Sequence, residues 1–217
     1  MTSTGKVFVI DDDESMRKSL RRLLEAAEHE TELFRSASEF LSRLAYPGAS
    51  CVIVDVQMPG LNGMDFQNVL IESQREEQLI FITGHGDIPM CAQAMKAGAV
   101  DFLSKPFKPK QLLESVERAL SRSAEQRRRA LEKRCARALL DQLTPREYQV
   151  MQLVATGMLN KQVGSELGMA EKTVKTHRAH VMQKLHITSV AELMRVLQKA
   201  EVPPVKPGLR SNCVSLI

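Results

Sequence analysis

Five short apolar runs alternate with five helical segments in the first 120 residues, and that alternation restricts the fold more than any other feature of the chain. Lys6–Ile10 (KVFVI) predicts a strand, followed by a helix with Met16, Leu20, Leu23, Leu24 and Ala27 on one face. Glu32–Arg35 is a weak second strand, and Ser38 caps a short helix carrying Phe40, Leu41 and Leu44. Cys51–Val54 is the third strand, followed by a helix from Asn62 to Ile71 bearing Met64, Phe66, Val69 and Leu70. Leu79–Ile82 is the fourth, followed by a helix that Asp87 caps, that holds Met90, Ala94 and Met95, and that stops at Gly98. Asp101–Leu103 is the fifth, and Pro109 starts a helix with Leu112, Leu113, Val116 and Leu120. A strand–helix unit repeated in this way predicts an α/β, doubly wound, five-stranded parallel sheet with helices on both faces.

Ligands of such sheets bind outside the carboxyl ends of the strands. The polar groups delivered there are Asp11 and Asp12, Asp55, Thr83 and Lys105, from four separate segments. Read alone, Asp55 is either a cap for the Pro/Gly/Asn turn that follows it or a reactive group. Three carboxylates brought together repel one another unless a cation neutralises them, and an all-oxygen cluster suits Mg²⁺. A metal, a lysine and a hydroxyl around one carboxylate are what phosphoryl transfer to an aspartate requires.

The formal charge of +4 is unevenly divided. Residues 1–120 hold 13 Lys/Arg against 18 Asp/Glu, and residues 121–217 hold 17 against 8, so an acidic half precedes a half of net +9. That split predicts two domains, the second facing a polyanion. Residues 121–142 contain no Gly or Pro and read as a helical linker with Leu131, Cys135, Ala138 and Leu139 as its apolar stripe. It is either an auxiliary dimer contact or a solvated helix. Thr144-Pro-Arg-Glu147 opens a helix that ends near Gly157; Asn160 caps the next; Gly168-Met-Ala is a tight turn; Glu171–Leu185 and Val190–Lys199 follow. Two short helices joined by a Gly-containing turn, the second basic, predict a helix-turn-helix. Val174, Val181 and Leu185 face inward with Ala170. Lys172, Lys175, Thr176, Ala179 and Gln183 then face out, as a solvated face or as a major-groove reader. Residues 202–217 are Pro-rich, aperiodic and read as a mobile tail.

The segments VIDDDESMRKSL, VDVQMPGLNG, FITGHGD and AMKAGAVDFLSKPF, with LTPRE…GMLNKQVGSELGMAEKTVKTHRAHVMQKL, closely resemble FixJ/NarL-type two-component response regulators over about residues 5–200. The resemblance implies a flavodoxin-like receiver domain (1–120), the linker (121–142) and a four-helix LuxR-type DNA-binding domain (143–201). It implies phosphorylation of Asp55 by a histidine kinase, and Mg²⁺ on Asp11, Asp12, Asp55 and the Gln57 backbone carbonyl. Thr83 and Lys105 would contact the phosphoryl oxygens, Thr83 and Phe102 would act as the switch pair, and Lys105–Pro106 would be a cis peptide. Phe102 also reads as an ordinary core residue. DNA contacts fall on Lys172, Thr173, Lys175, Thr176, Arg178, Ala179 and Gln183. The resemblance further implies homodimerisation on phosphorylation through residues about 87–120 and double-stranded promoter DNA as the target, with RNA polymerase a possible further partner. Gly164 departs from the family, which usually has Ala there, and softens its helix.

Two rivals are weighed against this. In a haloacid-dehalogenase-like phosphatase, Asp11 would be the nucleophile and Asp13 the acid/base, but the acidic pair such an enzyme needs after its lysine is missing, Asp141 being the only Asp beyond Lys105. A phosphorylation-independent DNA-binding regulator would leave the acid, Thr and Lys set without a role. The chain is not read as an enzyme. No apolar run approaches a membrane span, and the amino-terminal segment does not read as a secretory signal. Cys51, Cys91, Cys135 and Cys213 form no CxxC pair, which favours a cytoplasmic protein without zinc or disulfides. His85 reads as a loop residue.

Overall fold

The computed structural model describes residues 5–84 and 88–205. His85, the Asp87 cap, Cys213 and most of the expected tail lie outside the described residues. The chain divides into two compact units between Arg127 and Arg128.

In the first unit, β1 (Lys6–Ile10), α1 (Glu14–Ala26), β2 (Glu30–Phe34), α2 (Ala37–Leu41), β3 (Ser50–Asp55), α3 (Gly63–Glu72), β4 (Gln78–Thr83), α4 (Ile88–Lys96), β5 (Asp101–Ser104) and α5 (Pro109–Leu140) follow in order. The sheet runs β2-β1-β3-β4-β5, with every pair parallel. Between their polar ends the central strands are apolar, because both faces of the sheet are covered. Phe8, Ile10, Val52, Val54 and Phe81 pack on one side with Phe34, Phe40, Phe66 and Ala94. Val7, Val9, Cys51, Ile53, Ile80 and Ile82 pack on the other with Leu20, Leu24, Leu112, Val116 and Leu120. The alternation is the two-residue period of a strand, so α2, α3 and α4 cover one face and α1 and α5 the other. On the first side, Phe40 stands edge-on to Phe8 and Phe66 at 5.4 and 5.5 Å between ring centres, an arrangement that the aromatic quadrupole favours.

Local expectations needed correction at α2. Ser36, not Ser38, caps it: its side chain accepts from the Glu39 N–H, while the Glu39 carboxylate accepts from the Arg35 N–H at 2.8 Å. This cap starts the helix two residues earlier than expected, and the helix ends at Leu41. Leu44 is therefore outside it and 91% exposed.

The second unit contains the end of α5, then α6 (Pro145–Ala155), α7 (Asn160–Leu167), α8 (Glu171–Lys184) and α9 (Val190–Ala200). Val150, Met151, Val154, Val163, Val174, Val181, Leu185, Leu193 and Leu197 form its core. Thr144 and Glu147 build a capping box at the start of α6. Gly168, at φ 64°, ends α7 in the left-handed region that glycine tolerates.

Three expectations fail here. The linker is helical as expected, as the continuation of α5, but its inward face is Ala136 and Leu140; of the expected stripe Leu131 is 61% exposed, Cys135 and Ala138 are exposed, and only Leu139 packs against the core. Both faces have helical spacing, and only the position of the other helices selects between them. Ala170 is exposed, because it is the N-cap of α8 and not part of its inner face. Asn160 is the first residue of α7; the cap position is Leu159, whose N–H is satisfied by the Gln162 side chain at 2.8 Å.

Candidate functional site

The carboxyl ends of β1, β3, β4 and β5 converge on one cluster. Asp11 follows β1, Asp55 ends β3, Thr83 ends β4 and Lys105 follows β5. Lys105 Nζ donates to Asp55 Oδ2 at 2.5 Å and to Asp11 Oδ2 at 3.0 Å. The Gln57 N–H donates to Asp55 Oδ1 at 3.0 Å, and the Asp13 N–H to Asp11 Oδ1 at 2.9 Å. Asp11 and Thr83 are fully buried and Asp55 nearly so, whereas Asp12 and Gln57 are exposed. Thr83 sits beside Ser104 in the β4–β5 ladder, and its carbonyl accepts the Lys105 N–H at 2.7 Å. The Lys105–Pro106 peptide is cis.

Electrostatics follow from burial. Desolvation raises the Asp11 carboxyl above its ordinary range, although the hydrogen bond from Lys105 opposes it. Burial works against the charge of Lys105, but its bonds to Asp55 and Asp11 outweigh this and hold it above the usual lysine value. One oxygen each from Asp11, Asp12 and Asp55 lies within 4.8 Å of the others. A donor set made only of oxygen, half exposed on one side, fits a hard divalent cation such as Mg²⁺. Asp13 is not in this set. Its carboxylate caps α1, Oδ1 accepting from the N–H of Ser15 at 2.8 Å and of Met16 at 3.4 Å.

Phe102 is half-buried and tilted against Phe81, with 6.1 Å between ring centres. Two residues here escaped the sequence reading. Arg17 Nη1 donates to the Asp11 carbonyl at 2.6 Å, fixing the turn that presents Asp11 and Asp12. Gly63 begins α3 where a Cβ would stand 2.7 Å from the Asp55 carbonyl oxygen. Only glycine lets the helix approach the strand end so closely, and the PGLNG turn was the signal for it.

In the second unit, α8 presents Lys172, Thr173, Lys175, Thr176, Ala179 and Gln183 on its exposed side. Arg178 is half-buried and bonds Asn160 Oδ1 at 3.2 Å, tying α8 to the start of α7. The far end of α8 is held by Lys184, whose Nζ reaches Glu147 Oε2 at 2.6 Å and the Gln142 carbonyl at 3.2 Å. The Lys184 bond, with the Thr144 N–H, pulls the Glu147 carboxyl down to about 2. The periodicity that marked the faces of α8 gave no sign of either tie. A Cβ on Gly164 would lie 2.6 Å from the Met169 carbonyl oxygen, so this glycine lets the turn fold closely against α7.

Among the described residues, no helix is long and apolar enough to cross a membrane. Residues 7–117 match the response regulator receiver domain, and residues 141–197 match the bacterial regulatory proteins of the luxR family. The chain is 48% identical over 190 residues to nodulation protein W of Bradyrhizobium diazoefficiens, covering 88% of this chain and 84% of that protein. It is 38% identical over 200 residues to the transcriptional regulatory protein FixJ of the same organism, covering 92% and 98%. The response regulator StyR has a similar structure, with TM-score 0.81 and 44% identity over 90% of this chain and 99% of that one. Full-length FixJ from B. japonicum gives TM-score 0.56 and 36% identity over 93% and 98%. With an acidic cluster at the sheet edge and a helix-turn-helix after it, the chain belongs to the FixJ-like two-component response regulators, a family of transcription regulators and not of enzymes, with a receiver domain joined to a LuxR-type DNA-binding domain.

Proposed function

We propose that Asp55 accepts a phosphoryl group from a histidine kinase and that the resulting change controls how α8 engages promoter DNA. The observation that carries this is the shared lysine: Lys105 holds Asp55 and Asp11 at once, from strand ends far apart in sequence. An Asp55 carboxylate oxygen attacks phosphorus, a P–O bond forms, the P–N bond to the kinase histidine breaks, and the imidazole nitrogen leaves. Asp11, Asp12, Asp55 and the Gln57 carbonyl would hold Mg²⁺, which supplies positive charge against the carboxylates and the phosphoryl oxygens. Lys105 already neutralises the acceptor and passes to a phosphoryl oxygen once Asp55 is esterified. The Thr83 hydroxyl donates to another, and its movement leaves space beside Phe81 into which Phe102 turns. The surface of residues about 87–120 then pairs two copies.

Two copies place two α8 helices on two half-sites. Lys172, Thr173, Lys175, Thr176, Arg178, Ala179 and Gln183 form the contacting set, with lysines on phosphate or guanine and Thr and Ala against thymine methyls. The excess of Lys and Arg beyond residue 120 adds salt-dependent affinity for any duplex. On this reading the chain is organised as receiver 1–120, linker 121–142, DNA-binding domain 143–201 and tail 202–217. It works in the cytoplasm and addresses RNA polymerase from the promoter. The test is an acyl phosphate assigned by peptide mapping: a label on Asp55, absent in Asp55→Asn, supports the reading, and a label elsewhere defeats it.

A further inference from the structure

The turn that joins β1 to α1 carries two of the three acids of the cluster. β1 ends at Ile10 and α1 begins at Glu14, so residues 11–13 lie outside both the strand and the helix. Two side-chain contacts hold the Asp11 carboxylate: Lys105 donates to Oδ2 at 3.0 Å and the Asp13 N–H to Oδ1 at 2.9 Å. Lys105 and the Gln57 N–H hold Asp55 in the same way. Asp12 is different. It is exposed, and among the described residues none hydrogen-bonds its carboxylate. The backbone on which it stands therefore sets its place.

That backbone is held by a guanidinium. Arg17 Nη1 donates at 2.6 Å to the Asp11 carbonyl, the oxygen of the peptide bond to Asp12. The helix explains this reach. Asp13 caps α1, and the Arg17 N–H makes a helical bond to the Asp13 carbonyl at 3.0 Å. Side chains on a helix lean toward its amino end, so a long one near the start covers the turn before it. Arg17 is half-buried, and a hydrogen bond from a charged donor is about twice as strong as a neutral one.

We infer that Arg17 is a positioning residue for the divalent cation. It fixes the Asp11–Asp12 peptide and so keeps an Asp12 carboxylate oxygen within 4.8 Å of those of Asp11 and Asp55. The inference rests on the reading that these three acids hold Mg²⁺. Two effects of Arg17 oppose each other. Its positive charge repels a dication, so charge alone would make its removal tighten metal binding. Its hold on the turn aligns a ligand, and loss of such outer partners costs about 10–100-fold in metal affinity. Alignment outweighs repulsion here, and the opposite signs make the two separable.

The test follows Mg²⁺ alone, by amide shifts of the isotope-labelled full chain, without a phosphoryl donor or a kinase. Arg17→Ala should raise the Mg²⁺ dissociation constant at least about ten-fold. Arg17→Met, which keeps the apolar stem, makes the same comparison if the alanine variant does not fold. Arg17→Lys keeps a cationic donor and should recover most of the loss. In an Asp12→Ala background, removing Arg17 should cost nothing further, because the residue it acts through is gone. With acetyl phosphate, the Mg²⁺ concentration giving half-maximal acyl phosphate formation should rise, while the rate at saturating Mg²⁺ returns toward wild type. A folding defect alone would lower that rate and leave the concentration in place. Equal or tighter Mg²⁺ binding without Arg17, no recovery with Lys, or an undiminished loss once Asp12 is replaced overturns the inference. A wild-type chain whose amides ignore Mg²⁺ overturns the metal reading and this one with it.

Discussion

Lys105 donates to Asp55 at 2.5 Å, and the same ammonium reaches Asp11 at 3.0 Å. One positive charge thus serves two carboxylates, and for Asp11 burial disfavours the charged form. A lysine is well suited to this, because its three donors sit on a flexible stem and can be handed from a carboxylate to a phosphoryl oxygen.

Replacing Lys105 with Ala leaves Asp11 and Asp55 facing each other without that charge. The receiver unit should lose about 1–3 kcal/mol in Mg²⁺-free urea unfolding at neutral pH, the cost of charged hydrogen-bond partners left unpaired. Added Mg²⁺ should raise the unfolding midpoint more in this variant than in wild type, since the cation then replaces the lysine charge. Equal Mg²⁺ responses would separate the metal from this cluster.

Asp55→Asn should abolish acyl phosphate formation and phosphorylation-stimulated DNA binding, while basal binding and the circular dichroism of α6–α9 stay as in wild type. Undiminished stimulation would remove Asp55 from the centre of the switch.

Glu147 gives a pH dependence of known sign. Its folded carboxyl titrates at about 2, below the ordinary 4.5, so its contribution to stability is present above about pH 4.5 and is lost as pH falls toward 2. Thermal unfolding of the second unit should weaken over that window. Glu147→Gln should flatten the dependence and cost about 1–3 kcal/mol at pH 7 by breaking charged hydrogen bonds to Lys184 and Thr144. A wild-type and variant with parallel pH curves would contradict the role of this carboxylate.

Lys175→Ala should weaken DNA binding by about 1–3 kcal/mol if it contacts a base, or flatten the salt dependence by about one unit of slope if it contacts phosphate. Acyl phosphate yield should not change. Binding equal to wild type at every salt concentration would take Lys175 off the reading face.

Gly164→Ala sets two effects against each other. Helix propensity favours Ala by about 0.5–1 kcal/mol, but the new methyl would stand 2.6 Å from the Met169 carbonyl oxygen, a backbone atom that cannot swing aside. The clash should win, with a lower melting temperature for the second unit. A higher one would show that the turn after α7 opens freely.

The five strands and their order of use were readable in the sequence because a parallel sheet covered on both faces needs strands that are apolar throughout, with polar residues left at their ends. Asp11, Asp12, Asp55, Thr83 and Lys105 were visible for the same reason. The inward face of α8 could be read too, since Val174, Val181 and Leu185 recur at helical spacing and the structure buries all three. Where periodicity admitted two answers, it misled: the Leu131 stripe and the Ala136–Leu140 face of α5 are both helical, and Ala170 could be either face or cap.

The sequence by itself determined which segments are strands, which are helices and which chemical groups stand at the carboxyl edge of the sheet, because these follow from local periodicity and from the rules of parallel connection. The tertiary structure alone decided that Lys105 spans Asp55 and Asp11, that Gly63 and Gly164 lie against backbone, that Glu147 clamps Lys184, and that Ser123 and Gln126 meet Ser50 and Gln78. Each of these joins residues remote in sequence or depends on close approach of two backbones. A short polar side chain or a missing Cβ gives no periodic signal, and its meaning appears only when packing has fixed what lies within 3 Å of it.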